Sequence, residues 1–130
     1  MRTTRAFAPA AIAITAVLLT TATPAAMAND RDVKREGRCS PSGEWKVKAS
    51  PENGRLEVEG EVDTNRNGQS WHWSIRHNGS IAATGQRKTA GPSGSFEVRR
   101  VRANRRGTDT FVFTARRAGT QQLCRGTVRF

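Results

Sequence analysis

Beyond residue 44, apolar side chains return at every second position. WKVKA puts Trp45, Val47 and Ala49 on one face, and RLEVEGEV sets Leu56, Val58, Gly60 and Val62 against Glu57, Glu59 and Glu61. WHWSI sets Trp71, Trp73 and Ile75 against His72, Ser74 and Arg76. A period of two is that of a half-buried strand, and no stretch carries the 3.6-residue period of an amphipathic helix. The alternation continues through SIAATG (Ile81, Ala83), SFEVRRVRA (Phe96, Val98), TFVFTAR (Phe111, Phe113, Ala115) and LCRGTVRF (Cys124, Gly126, Val128, Phe130). Turn residues separate the runs, and Asn78-Gly79 between two of them is a strong two-residue hairpin signal. About seven short strands in this arrangement predict an all-β fold, a single antiparallel β-sandwich of immunoglobulin or fibronectin type, over residues 38–130. In SFEVRRVRA, Val101 and Ala103 have the opposite parity to Phe96 and Val98, which predicts a bulge or break at Arg99 and Arg100.

The first 28 residues read differently. Arg2 and Arg5 precede an apolar stretch, and Ala26-Met27-Ala28 has the small-x-small pattern of a cleavage site. These are the parts of a secretory signal peptide, so residues 1–28 are expected to be removed and the protein to be secreted and extracellular. No second apolar run of about 20 residues could span a membrane. Residues 29–37, NDRDVKREG, are polar and predict a flexible arm. Cys39 and Cys124 are the two cysteines of the chain. In an exported protein they read as one disulfide, which would tie the ends of the sandwich together.

With the two signal arginines removed, 20 basic residues face 11 acids, a net charge of +9. Residues 29–63 hold 7 bases and 9 acids; residues 64–130 hold 13 bases and, as acids, only Glu97 and Asp109. Within VRRVRANRRGTD the five residues Arg99, Arg100, Arg102, Arg105 and Arg106 crowd together. On the expected fold they edge and tip a hairpin, with Arg87, Lys88, Arg116 and Arg117 as a possible extension. Guanidinium groups at this density suit phosphates and other polyanions. The competing reading is that charges on edge strands only prevent sheet-to-sheet aggregation.

WKVKASPENGRLEVEGEVDTNRNGQSW, followed by NG, GPSGSFEV, N-x-x-G-x-D and a late C-x-G, resembles uncharacterised small secreted proteins of actinomycete bacteria. The resemblance covers most of the chain from Cys39 onward. It implies a secreted single-domain protein and brings no catalytic or binding residues with it.

Catalytic constellations are sparse. His72 and His77 are the only histidines, and GPSGS at 91–95 lacks the spacing of a nucleophile elbow. Both histidines read as surface residues, one on a strand and one at a turn. Glu57, Glu59 and Glu61 read as cross-strand partners of Lys46 and Lys48. DTNRNG at 63–68 matches the first half of a calcium loop, but Ser74 stands where the bidentate glutamate belongs and Arg66 adds a cation, so turn residues are the simpler reading. Trp71 and Trp73 share a face, either core or a sugar-stacking surface, and core is favoured in so small a sandwich. The expectation is therefore a monomeric, non-enzymatic protein without metal or cofactor. It would bind an anionic cell-wall polymer or nucleic acid, weakly and salt-sensitively, through the arginine hairpin. The alternative is a secreted inhibitor or ligand of another protein acting through a sandwich loop.

Overall fold

A computed structural model describes residues 31–130, so the expected signal peptide and the first two residues of the expected arm lie outside the described residues. Eight strands form: β1 (Val33–Arg38), β2 (Glu44–Glu52), β3 (Arg55–Asp63), β4 (Ser70–His77), β5 (Ser80–Lys88), β6 (Ser95–Ala103), β7 (Thr110–Arg117) and β8 (Leu123–Arg129). They make two four-stranded antiparallel sheets, ordered β1-β2-β3-β6 and β5-β4-β7-β8. The inward residues of both sheets share one core, with Trp71, Phe111, Phe113, Leu56 and Ile75 its largest fully buried members. Trp71 and Trp73 are thus core residues. Trp45 is half-buried and lies over Gly37 and Gly126, where an added Cβ would come within 2.6 and 2.2 Å of its ring.

Three expectations need correction. The arm is partly a strand, because Val33–Arg38 pairs along β2 from Val33 opposite Ala49 to Arg38 opposite Glu44. An edge strand covered on one side only needs no apolar alternation, so β1 carries no period-two signal. Cys39 therefore follows the first strand, and its bond to Cys124 in β8 joins the two sheets at that edge. The strands number eight where about seven were expected, the added one being β1.

The third correction moves the bulge. β6 runs beside β3 in unbroken register from Ser95 opposite Asp63 to Ala103 opposite Arg55. The irregularity is in β5, where Ile75 faces Ala83 and Arg76 faces Ile81, leaving Ala82 as the extra residue. Val101 simply points outward, and Ile81, which alternation would bury beside Ala83, is 53% exposed. A bulge re-aims the residues on either side of it.

Candidate functional site

The five arginines of the run do not form one patch. β6 and β7 belong to different sheets, so residues 104–109 cross from one sheet to the other and there is no arginine hairpin. Uninterrupted alternation along β6 then sends Arg99 to the outer face of the first sheet, while Arg100 and Arg102 share the parity of buried Phe96 and Val98. Arg105 and Arg106 are exposed in the crossover loop.

On the outer face of the first sheet, charges are paired. Arg99 Nε donates to Glu97 Oε1 at 2.6 Å, and its terminal nitrogens lie 3.3 Å from Glu59 and 3.8 Å from Glu57. Lys48 reaches Glu59 at 3.3 Å and Lys46 reaches Glu61 at 3.8 Å, the cross-strand pairing expected from the sequence. The hydrogen bond that Arg99 donates to Glu97, followed by the charge of Glu59, holds the Arg99 guanidinium above its usual value. Loss of water, followed by a hydrogen bond and charge repulsion from Glu59, pushes the Glu57 carboxyl above 4.5, and Arg99 opposes the shift. A carboxyl raised on folding adds stability that is complete below its unfolded pKa and is lost as pH climbs through the folded one. In an Arg99→Ala protein the opposing charge is gone, so Glu57 should titrate at still higher pH and this loss should grow. Carbon-detected NMR titration of Glu57 in both proteins checks this, and an unchanged midpoint contradicts it.

Arg100 and Arg102 lie where β6 approaches β5, at the edge opposite the disulfide. The Arg100 guanidinium sits 5.0 Å from the centre of the Trp73 ring, and Arg102 Nη2 donates to the Ala82 carbonyl at the β5 bulge. Arg102 Nε is buried without a hydrogen-bond partner. Beneath the adjoining crossover, Asp109 is completely buried. Its Oδ1 lies 2.5 Å from His77 Nε2, and its Oδ2 accepts from the Arg105 backbone N–H at 3.0 Å. His77 stacks on Phe111 with ring centres 4.3 Å apart. His77 departs from expectation, since it is buried and not a surface residue. Through its two contacts Asp109 ties His77 to the crossover loop.

Comparison with known protein families, with curated proteins and with solved structures finds no match.

The geometry separates charge by sheet. The strands of the first sheet hold eight acids beside nine bases, whereas β4, β5, β7 and β8 hold seven bases and no acid. Residues opposite one another in an antiparallel pair share a face. Registers with His72, Ser74 and Arg76 therefore put Arg116, Arg125 and Arg76 on the outer face of the second sheet, with Lys88 and Arg129 at its ends. Arg87 and Arg117 both oppose Trp71 and follow the inner parity. A shallow depression among His72, Ser74, Thr84, Gln86, Thr114 and Arg116 adds hydrogen-bonding groups between the cations. The sequence signal for this face is the scarcity of acids after residue 63.

The DTNRNG loop is occupied in a different way from a calcium cage. Asp63 Oδ1 accepts from the Asn65 N–H at 3.1 Å, and the loop is bonded to the 89–94 turn, with Gly68 N–H donating to the Thr89 carbonyl at 2.7 Å. Among the described residues no group of three or more His, Cys, Asp or Glu side chains could hold a metal ion.

Proposed function

We propose that this is a secreted, monomeric, non-enzymatic protein that binds a phosphate-bearing polymer, and that its binding surface is the outer face of the second sheet. One observation carries the reading: four adjacent strands present Arg76, Arg116 and Arg125 among hydroxyl and amide groups with no acid in any of them. Like charges at this density repel one another in the absence of a partner, and a polyanion relieves that repulsion while releasing its counterions. Five of the eight acids on the strands of the other sheet, Glu36, Glu57, Glu59, Glu61 and Glu97, are engaged with that sheet's own bases, which argues against plain solubility as the source of the asymmetry. The face has no aromatic side chain other than His72, so its chemistry favours a charged backbone over the stacking of bases. The disulfide agrees with export to an oxidising compartment.

Binding to purified cell wall and to DNA across a salt series tests this. The protein should bind tightly at low salt, with log affinity falling linearly against log salt. Arg76→Ser/Arg116→Ser/Arg125→Ser should bind at least tenfold more weakly and lower the slope by about two to three, one step per lost phosphate contact. Arg99→Ser, which removes a charge already paired with glutamates, should change little. Equal binding by the triple variant would overturn the reading and turn the search to a protein partner. The preferred polymer names the target.

A further inference from the structure

A second cationic feature lies away from that face. At the edge where β5 meets β6, a cleft of about 350 Å³ is lined by Arg55, Arg102 and Arg105, with Ser80 and Ile81 on the β5 side and His77 at its base. The fold assembles it from four separate elements. Arg55 opens β3, Arg102 is the penultimate residue of β6, Arg105 follows in the crossover loop, and Ser80 and Ile81 begin β5. Asp109 fixes the loop through the Arg105 N–H and fixes His77 through Nε2, so the floor and one wall share a single buried anchor.

The chemistry of the lining is two-sided. None of the three arginines forms an ion pair among the described residues, where every arginine ion pair belongs to Arg99. No acid lines the cleft: Glu52, opposite Arg55 in the β2–β3 pair, is outside the lining, and both oxygens of the neighbouring Asp109 are taken. Beside these unpaired cations stands Ile81, 53% exposed, the most exposed large apolar side chain among the described residues. Its position follows from the bulge at Ala82, the same residue whose carbonyl holds Arg102. An unpaired guanidinium cluster calls for an oxyanion, and three of them suit a dianion such as a phosphate monoester. The apolar wall calls for a substituent on that phosphate, since a concave site fixes its ligand through a few polar groups and gains from apolar contact.

We propose that this cleft binds a phosphate monoester carrying an apolar substituent, with Arg55, Arg102 and Arg105 holding the phosphate and Ile81 contacting the substituent. The site does not rest on the polymer reading, because Arg76, Arg116 and Arg125 do not line it.

The test is an amide-resolved NMR titration with phenyl phosphate, inorganic phosphate and benzoate. Phenyl phosphate should give saturable shifts at Ser80, Ile81, Ala103 and Arg105. Arg55→Ser/Arg105→Ser removes two exposed side chains, so the fold should persist while the dissociation constant rises at least tenfold. Ile81→Ser should weaken phenyl phosphate and leave inorganic phosphate unchanged. Arg76→Ser/Arg116→Ser/Arg125→Ser should bind phenyl phosphate as the parent does, which separates this site from the polymer face. Absence of saturation, or unchanged binding by Arg55→Ser/Arg105→Ser, overturns the site. Benzoate binding as tightly as phenyl phosphate overturns the phosphate assignment, and inorganic phosphate doing so overturns the apolar contact.

Discussion

Asp109→Ala should cost about 3–5 kcal/mol of folding stability, the loss expected when one member of a buried, hydrogen-bonded pair is removed. The carboxylate is completely buried and uses both oxygens, one 2.5 Å from His77 Nε2 and one 3.0 Å from the Arg105 backbone nitrogen. Truncation strands two polar groups in a site that water reaches poorly, since His77 itself is only 5% exposed. Its backbone would stay in place, because Asp109 and Phe130 exchange two main-chain hydrogen bonds at 3.0 and 2.9 Å. For a domain of about 100 residues such a loss lowers the melting temperature by on the order of 15 °C or more. His77→Ala/Asp109→Ala should cost less than the two single changes added together, because the double variant leaves no stranded partner on the imidazole side. Urea unfolding of the four proteins measures this coupling. An Asp109→Ala cost under 1 kcal/mol, or strict additivity, would mean that the pair is incidental to the fold.

That pair also shows what local sequence could not reveal. Alternation identifies the strands because each inward residue is half of a repeating pattern, and Trp71, Trp73, Ile75, Phe111 and Phe113 all lie in the core as their parity requires. His77 and Asp109 are 32 positions apart and meet only because β4 and β7 are neighbours, a register that neither segment encodes alone. The two parity errors share a cause. A bulge adds one residue and inverts every later side chain, so Val101 and Ile81 could each be rescued on paper by a bulge, and only the pairing partner shows that β5 has it and β6 does not. The same ambiguity misplaced the arginines. Reading β6 and β7 as a hairpin put five guanidinium groups on one surface, whereas the crossover leaves Arg99 among glutamates, Arg100 against Trp73 and Arg102 at Ala82. What survived was the coarse charge asymmetry, which depends on counting alone.

Removing the disulfide should have the second large effect, and it bears on how the two open edges of the sheets are closed. Cys39 and Cys124 are 85 positions apart, and cross-linking a loop of that length restricts the unfolded chain by about 4.5 kcal/mol in the chain-entropy treatment. Cys39→Ser/Cys124→Ser should be less stable by about that amount, a large fraction of the 5–15 kcal/mol typical of a domain. Thiol titration of the denatured parent should find no free cysteine. The loss should also be local. β1 pairs with β2 alone in its sheet, and next to the bond this edge is tied to the β8 side by the reciprocal Ser40–Leu123 hydrogen bonds, at 2.8 and 2.9 Å, and by Gln122 Nε2 donating to the Ser42 carbonyl at 2.7 Å. Amides of Val33–Arg38 should therefore lose exchange protection before those of β4 and β7, which are inner strands of the other sheet. At the opposite edge closure is non-covalent, made by Arg100 over Trp73 and Arg102 on Ala82. Arg100→Ala/Arg102→Ala should cost only about 1–3 kcal/mol, the sum expected of one cation–π contact and one charged hydrogen bond. If the two edge variants were equally destabilised, or if β1 kept its protection after the cysteines were replaced, the disulfide would not be what holds the sheets together at this edge.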